Sequence, residues 1–363
     1  MQLSATSSWL VDAACEAAGA DRLLAELGTR LVADGLPLTG GALTLMVPHP
    51  LIARRTWLWR AASGEVVEAL GFAPAGPLPA PQAGPSDDAG RRWLAGLAAG
   101  SVHEDRIGPS DGPLLGWIGP RPFTPVETDQ LRQVARFAAA PLAVLAARDT
   151  LRAALDAYLG RRSAARVLVA PLRRDVGETI QAALLFADLR GFTALSESHP
   201  PSEVIAALNA WFDRIAGAVH AFGGEVLKFI GDGVLAIFPV VGGSPRAACD
   251  AALRAASAAR TGMVHLDKER DKQGLAPLPF GVALHVGEIF WGNIGAADRL
   301  DFTAIGAAVN LVSRLEGLCR PLQKTILVSG ALAVQSEMPL IALGTHGLRG
   351  IASPCAVFTV PED

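Results

Sequence analysis

The chain has 363 residues, half of them apolar, with a formal net charge of −3 and a pI near 6.2. This length suits two domains with sizeable cores better than one. With 32 basic and 35 acidic residues, the chain has no broad positive field to hold a phosphodiester backbone, so we expect no nucleic-acid partner.

Cysteines and apolar runs indicate the compartment. Cys15, Cys249, Cys319 and Cys355 form no C-x-x-C pair, which predicts small buried thiols rather than a disulfide framework or a zinc site. The longest apolar run, near 137–147, is too short to span a bilayer, and the N-terminus lacks the pattern of an export signal. We therefore expect a cytoplasmic protein without a transmembrane segment.

The N-terminal third of the chain mixes helical and strand patterns. A helical pattern precedes the strand-like stretches "GALTLMV" and "RTWLWRAA". Trp57 and Trp59 would face the same side of a strand, where they either fill a core or line an aromatic ligand pocket; the core is the favoured interpretation. Residues 71–90, rich in Pro, Gly and Ala, predict a loop inserted in this domain.

A long helix is predicted to follow this domain. Thr124, Pro125 and Glu127 provide a cap, a first-turn proline and a capping box. Apolar residues then recur three and four apart, with a kink predicted at Pro141 and an end at Gly160. This stripe fits equally well a dimer contact that carries a signal and a helix packed on its own domain.

Strands and helices follow one another in a defined order in the second half. Asp188 ends a short strand at 182–187, a helix follows, and "LKFIGDGVLAIF" predicts a hairpin. Another helix leads to two expected strands in "FGVALHVGEIFWGNIG", and "DFTAIG" is a short strand entering the helix "AAVNLVSRLEGLC". The order strand–helix–strand–strand–helix–strand predicts an α+β sheet of ferredoxin-like type.

Two aspartates stand at strand ends. Asp188 follows the first strand and Asp232 lies in the hairpin turn; an Asx cap and a preferred Asp-Gly turn would explain them locally. We expect the first strand to lie beside the strand that begins the hairpin, so that the two carboxylates converge. Close carboxylates need a counter-ion, and these hard oxygen ligands suit Mg²⁺ or Mn²⁺. A metal pair on a polyphosphate is one way to run displacement at phosphorus.

Three motifs together carry a family resemblance. "FADLRGFTAL", "GGEVLKFIGDGVLAIF" and "DFTAIGAAVNLVSRLEG" resemble a class III nucleotidyl cyclase, the adenylate/guanylate cyclase family. The resemblance covers 179–363 and implies a fold class of α+β, a ferredoxin-like cyclase catalytic domain. Residues 124–178 would form a linker helix and a transducer element, which "YLGRRSAARVLV" resembles. Residues 1–123 resemble a GAF-like α/β sensor domain by texture and position.

The resemblance implies the assembly and the metal site. In that family two domains pair head to tail and a nucleoside triphosphate binds between them, so we expect a homodimer that binds ATP. Asp188 and Asp232 match the metal-binding aspartates, and the Leu189 carbonyl would assist them. Two Mg²⁺ or Mn²⁺ ions per active site are implied.

The same resemblance assigns the nucleotide contacts. Gly191, Phe192 and Thr193 match the segment whose backbone N–H groups hold phosphates at a helix start. Lys228 matches the lysine that selects adenine. Thr303 falls where a subset of adenylate cyclases carries threonine, whose hydroxyl can both accept and donate. This pair argues for ATP over GTP.

The remaining matches concern the transition state. Asn310 and Arg314 are four residues apart on one helical face, and they match the pair that orients the ribose and stabilises developing charge. Arg349 would replace the lysine that the family places on the terminal phosphates. Ala307 departs from the polar residue that relatives often carry, which would alter the rim of the pocket.

The sequence thus predicts an adenylate cyclase regulated by an N-terminal domain. The alternatives are a catalytically silent nucleotide-binding or dimerisation module, a guanylate cyclase, and a diguanylate-cyclase-like transferase, for which the chain has no "GGDEF"-like turn. The threonine subset includes bicarbonate-responsive members. The N-terminal domain would take an unknown small-molecule or protein input; His49 and His103 could ligate a cofactor, although ordinary polar roles are favoured.

Overall fold

The computed structural model describes residues 4–47, 52–72, 89–109 and 112–361. His49 and most of the predicted loop, residues 73–88, lie outside the described residues. The chain divides into two compact units, Met1–Leu155 and Asp156–Asp363. The division falls within a helix that we expected to belong to the linker, so most of that linker is part of the first unit.

The first unit contains a five-stranded antiparallel sheet among its described residues, with strand order β3-β2-β1-β5-β4. Its strands are β1 (Gly40–Met46), β2 (Ile52–Arg60), β3 (Val66–Phe72), β4 (His103–Arg106) and β5 (Leu114–Ile118). Its helices are α1 (Ala5–Asp12), α2 (Ala20–Ala33), α3 (Ala89–Ala95), α4 (Pro125–Phe137) and α5 (Ala139–Leu159), with a 3-10 helix at Ala14–Glu16.

Tryptophans fill the core of this unit. Trp57 and Trp59 are buried on β2 with Leu43 of β1, and Trp117 of β5 joins the same cluster. The rings of Trp59 and Trp117 meet edge to face with centroids 6.4 Å apart, a favourable aromatic geometry. The core interpretation of these residues is confirmed.

The predicted long helix is two helices. The capping box at Thr124 and Glu127 is present, so α4 begins as expected. The break comes at Ala138, before Pro141, because a proline ring clashes with the carbonyl four residues earlier, here that of Phe137. The predicted kink at Pro141 is therefore a break displaced toward the N-terminus. The first part of the stripe, through Leu145, packs in the core of the first unit.

The second unit is built on an eight-stranded sheet among its described residues, with order β12-β13-β11-β9-β6-β8-β7 and β10 paired to β9. Its strands are β6 (Gly177–Leu189), β7 (Glu225–Ile230), β8 (Gly233–Pro239), β9 (Phe280–Gly295), β10 (Leu300–Ile305), β11 (Ile326–Ser329), β12 (Ile341–His346) and β13 (Cys355–Thr359). Its helices are α6 (Arg161–Val169), α7 (Phe192–Ser198), α8 (Pro201–Ala221), α9 (Arg246–Lys272), α10 (Ala307–Glu316) and α11 (Gly330–Ala333).

The predicted ferredoxin-like order is present, with two corrections. Strands β9, β6, β8 and β7 form four antiparallel neighbours connected as strand–helix–strand–strand–helix–strand. The first strand, β6, pairs with β8, which leaves the hairpin, and not with β7, which begins it. The segment 280–295 is one long strand and not two, because β6 pairs with it continuously from Gly177 to Leu189.

The sheet has two differently covered faces. One face packs against α8 and α9 through Trp211, Ile215 and Leu253. The other, which we call the α10 face, carries α10, β10 and the inner side of α6, with Trp291 and Phe302 in its core. None of the helices in the described ranges combines the length and apolar character needed to cross a bilayer. All four cysteines are free, and Cys249 and Cys319 are buried.

Candidate active site

The hairpin turn is a Gly-Asp turn. Ile230 pairs with Gly233, so the loop consists of Gly231 and Asp232. Gly231 has φ of +63°, which places glycine at the first central position, as in a type II′ turn, rather than in the Asp-Gly arrangement expected. The indole N–H of Trp211 donates to the Asp232 carbonyl at 2.9 Å and ties the turn to α8.

Asp188 and Asp232 converge at this end of the sheet. Asp188 lies two residues beyond Phe186 on β6 and therefore points to the α10 face. Burial raises the pKa of Asp188 to about 7, and the charge of Asp232 and a hydrogen bond between the two carboxyl groups add to this rise. The Leu189 amide donates to the carboxylate and opposes it. The two carboxylates lie together as expected, although β6 pairs with β8 and not with β7.

A third carboxylate that sequence reasoning missed stands beside them. Glu316 closes α10, and a Cβ at Gly281, the residue paired with Asp188, would collide with its carboxyl oxygen. Burial raises the pKa of Glu316, Asp232 raises it further, and Arg190 lowers it. A negatively charged side chain in the last turn of a helix interacts unfavourably with the helix dipole. The position of Glu316 at the end of the predicted helix was therefore the feature of the sequence that could have identified it.

The two aspartates fit a divalent cation by chemistry. Their hard oxygens suit Mg²⁺ or Mn²⁺, and the raised pKa of Asp188 indicates that the pair needs a positive counter-charge. Within the described ranges, no cluster of three or more His, Cys, Asp or Glu side chains is arranged as metal ligands. The remaining ligands would come from backbone carbonyls, phosphate oxygens and water, as is usual for Mg²⁺.

The segment after Asp188 begins a helix. Gly191 precedes α7 as its N-cap, and Phe192 packs against the core on the α8 side of the sheet. Thr193 is exposed in the first turn. The first N–H groups of any helix lack intrahelical acceptors, so this turn presents donors to an anion.

A β-bulge aims Lys228. Val226 pairs with Ala236 and Lys228 with Leu235, so Leu227 is the extra residue. Without the bulge, Lys228 would face the same side as Val226, which packs toward α8 and α9. With it, Lys228 shares the face of Leu235, the α10 face.

Lys228 reaches β10, the strand of Thr303. Its ammonium forms an ion pair with the carboxylate of Asp301, a residue that the sequence analysis did not select. Asp301 and Thr303 are two residues apart and lie on one side of β10, and Thr303 is buried. Lys228 thus contacts the strand that carries Thr303, through Asp301 two residues away. In the described part of the chain, no hydrogen bond or ion pair joins Lys228, Asp301 or Thr303 to the carboxylates of Asp188 and Asp232.

The last predicted residues are exposed. Asn310 and Arg314 lie on α10, and neither side chain has a hydrogen-bond or ion-pair partner among the described residues. Arg349 is exposed in the turn after β12, at the opposite edge of the sheet from β7. Ala307 is the first residue of α10 and is exposed. The roles of these four residues stay predictions.

The site matches a known catalytic domain. Residues 176–339 match the family described as the adenylate and guanylate cyclase catalytic domain. Adenylate cyclase 1 of Rhizobium meliloti (strain 1021) is 32% identical over 178 residues, covering 48% of this chain and 27% of that protein. The adenylate cyclase of Anabaena cylindrica is 32% identical over 160 residues, covering 43% of this chain and 31% of that protein. The chain thus spans about a third of the length of these relatives.

A solved structure supports the fold. The alignment with a bacterial light-regulated adenylyl cyclase covers 74% of this chain and 87% of that chain, with a TM-score of 0.54 and 21% identity. The family match lies outside the first unit, so the GAF-like interpretation of residues 1–123 stays a prediction. Residues 176–339 are thus similar to the catalytic domain of adenylate and guanylate cyclases.

Proposed function

We propose that the protein is an adenylate cyclase that converts ATP to 3′,5′-cyclic AMP and pyrophosphate in a homodimer. The observation that carries this proposal is the convergence of Asp188 and Asp232 on the α10 face, the face to which the bulge also turns Lys228. The relatives named adenylate cyclases support the choice of reaction. Free cysteines throughout the chain favour a reducing cytoplasm as the location.

The carboxylates hold the reacting end of the nucleotide. Asp188 and Asp232, once both are ionised, would hold two Mg²⁺ or Mn²⁺ ions, with help from the Leu189 carbonyl. Two divalent ions bound there supply a lowered pKa for the ribose 3′ hydroxyl and positive charge beside the phosphates. Backbone N–H groups from Gly191 to Thr193 bind phosphate oxygens.

The chemical step is an in-line displacement. The ribose 3′ oxygen attacks the α-phosphorus, the bond to the bridging oxygen breaks, pyrophosphate leaves, and the hydroxyl proton passes to water. Asn310 orients the ribose. Arg314 offsets negative charge that develops in the transition state, and a fixed guanidinium in this role contributes about 10²-fold to the rate.

Residues on strands β7 and β10 recognise the adenine base. Lys228 donates to a ring nitrogen of adenine, and the buried Thr303 hydroxyl contacts the amino group. Each site combines the carboxylates of one subunit with Lys228 of the partner subunit, so neither subunit is complete alone. Phe229 and Ile230, half-exposed apolar residues at the hairpin end, are candidates for burial in that dimer.

A direct assay tests the proposal. Purified protein is incubated with ATP or GTP in Mg²⁺ or Mn²⁺, and cyclic AMP, cyclic GMP and pyrophosphate are quantified. We expect cyclic AMP and pyrophosphate in equal amounts from ATP, with GTP at least about tenfold poorer. Arg314→Ala should lower the rate about 10²-fold, whereas the exposed Arg320→Ala should not. Nucleotide binding without product would indicate a silent module, and cyclic GMP as the main product a guanylate cyclase.

The first unit is proposed as a regulatory, GAF-like sensor that precedes the cyclase domain in the chain. This proposal is supported by the separate hydrophobic core of the first unit and by its position before the cyclase domain in the chain. His103 bonds Asp105 at 2.8 Å and packs edge-on against Phe123, which favours an ordinary polar role over cofactor ligation. A visible absorption band in the purified protein would contradict that role for His103.

A further inference from the structure

Helix α6, the last helix before the sheet of the second unit, is joined to β7 by buried hydrogen bonds. The Ser163 amide and hydroxyl both donate to the Glu225 carboxylate, at 2.9 and 2.6 Å. Ser163 is 1% exposed and Glu225 4%. Glu225 begins β7 and precedes the bulge at Leu227 by two residues, so this contact fixes the strand just before Lys228.

A second contact connects α6 to the arm of the sheet that carries Thr303. Arg166 donates to Glu178 at 2.6 Å, and its guanidinium lies 4.4 Å from the ring centre of Trp291. Trp291 pairs with Glu178 on one side and with Ala304, the neighbour of Thr303, on the other. Arg166 therefore packs against the residue of β9 that pairs with β10 next to Thr303.

Apolar packing fills the space between these two contacts. Ala164 is fully buried, and Val167 packs against the cluster that includes Leu227 of β7 and Phe302 of β10. Ser163, Ala164 and Val167 share one helical face. One face of α6 thus contacts β7 directly and packs against the cluster to which Phe302 of β10 belongs.

Packing alone does not explain Glu225. Burying a carboxylate costs several kcal/mol unless hydrogen bonds compensate, and an apolar residue of similar size would hold α6 without that cost. In the described part of the chain no cation pairs with Glu225; its bonds go to the first turn of α6. Such a contact depends on the helix being in one position, because a helix displaced by a few ångströms leaves the charge unpaired.

We propose that Glu225 and Arg166 are positioning residues that connect α6 to the adenine-reading pair, so that displacement of α6 changes nucleotide affinity and base preference. This inference rests on the proposed function. Glu225 lies two residues before the bulge that aims Lys228, and Arg166 contacts Trp291, which pairs with the strand of Thr303. Nucleotide binding favours the bonded position of α6 by the same factor, because coupling is reciprocal.

The test compares full-length variants in two parallel measurements. One is cyclase kinetics with ATP and GTP; the other is equilibrium binding of a non-cyclisable ATP analogue with Mn²⁺. Glu225→Ala removes the contact, Glu225→Gln keeps an acceptor oxygen for Ser163, and Arg166→Ala removes the second contact. Arg162→Ala, an exposed arginine on the same helix, is the matched control. Thermal unfolding confirms that each variant is folded.

We expect Glu225→Ala to weaken analogue binding and to raise the KM for ATP about tenfold, with little change in kcat and a narrower preference for ATP over GTP. Glu225→Gln should recover most of the loss, and Arg162→Ala should match the wild type. In a Lys228→Ala background, Glu225→Ala should add less than about twofold, because both changes remove the same interaction.

The opposite results overturn the inference. Equal loss for ATP and GTP in kcat, or full additivity with Lys228→Ala, would make Glu225 a structural residue only. A wild type that binds the analogue but forms no cyclic AMP overturns the proposed function alone, because the affinity cycle still reports the coupling. A wild type that binds no adenine nucleotide overturns both.

Discussion

The two sheets of this protein bury different kinds of side chain. At the centre of the first sheet, Leu43, Trp59 and Trp117 pack together. Its β1–β2 pair also buries Thr44 and Thr56, whose hydroxyls bond each other at 3.0 Å. The second sheet buries Glu225 and His285 outright and partly buries the carboxylates of Asp188, Asp232 and Glu316 near one end.

The difference separates stability from chemistry. The groups at the centre of the first sheet lower the free energy of the fold mainly through apolar packing, and the two threonine hydroxyls satisfy each other. The indole N–H of Trp59 is the exception, since it is buried without a partner among the described residues. In the second sheet, burial raises the pKa of Asp188 and lowers the pKa of His285 to about 4, which means that the charged forms are disfavoured there. Ionisable groups with shifted pKa values cluster at binding and catalytic sites, which supports the site that we propose in the second unit.

The sharpest way to break this comparison is to neutralise one carboxylate. Asp188→Asn should lower cyclic AMP formation at least about 10³-fold, roughly 4 kcal/mol of transition-state stabilisation, because the amide cannot balance a divalent ion. The measurement is initial rate at saturating ATP and Mn²⁺, with circular dichroism to confirm folding. Asp213→Asn, an exposed carboxylate on α8, is the matched control and should keep wild-type activity. Retained activity in Asp188→Asn would refute the assignment.

In the first sheet, by contrast, the loss of buried apolar contacts should have the largest effect on stability. Leu43→Ala should destabilise the first unit by about 3 kcal/mol, since it leaves a cavity at the centre of the sheet. Five of the seven tryptophans precede residue 120, so the fluorescence change in a denaturant titration reports mainly on this unit. Val67→Ala, at an exposed site on β3, should change stability by less than about 0.5 kcal/mol. Equal effects of the two substitutions would contradict the packing account.

The carboxylate pair should also cost stability when no metal is bound. The pKa of Asp188 is about 7 in the fold against an ordinary value of 3.8, so the folded state keeps a proton that the unfolded chain has released. The stabilisation from that proton is complete below pH 3.8 and is lost as pH rises through about 7.

Metal-free Asp188→Asn should therefore gain stability relative to the wild type as pH rises across that window. After discounting for partial solvent exposure, we expect about 1 kcal/mol at pH 8. Urea titrations of both proteins in a chelator at several pH values measure the difference, and added Mn²⁺ should reverse its sign. A difference that does not depend on pH would contradict the coupling of the two carboxylates.

The smallest expected effect concerns the partner of Lys228. Asp301→Asn removes a partly exposed ion pair, and such pairs contribute about 0.2–1 kcal/mol. The KM for ATP should rise by up to about fivefold, because the ammonium is no longer held on the side of Thr303, while kcat changes little. Asp298→Asn, in the exposed turn before β10, is the control. A fall in kcat with unchanged KM would place Asp301 in the chemical step instead.

The sequence predicted those features that depend on local chemistry. The cap at Thr124, the end of α5 before Gly160 and the apolar face of α8 all follow from capping and periodicity. The ferredoxin-like order followed from the alternation of strands and helices. The site aspartates followed from their places at strand ends, because a turn and a strand terminus are visible in one dimension.

Features that depend on strand pairing or on contacts between distant residues could not be predicted from the sequence. The bulge at Leu227 exists only in register with β8, and it decides which face Lys228 takes. A glycine inside a strand pattern is a sequence signal for a break, yet Gly287 lies within β9 because α10 passes close by. A Cβ at Gly287 would lie 2.8 Å from the Cβ of Ala308. The pairs Lys228–Asp301 and Ser163–Glu225 join residues more than sixty apart, which no local pattern reveals.

Binding of Mn²⁺ in the presence of a non-cyclisable ATP analogue tests the central claim most directly. Electron paramagnetic resonance counts bound ions in the wild type, in Asp188→Asn and in Asp232→Asn. We predict two bound ions per site in the wild type and in Asp213→Asn, and the loss of at least one ion in Asp188→Asn and in Asp232→Asn. Equal Mn²⁺ affinity and stoichiometry in all four proteins would contradict the claim that these two carboxylates form the metal site.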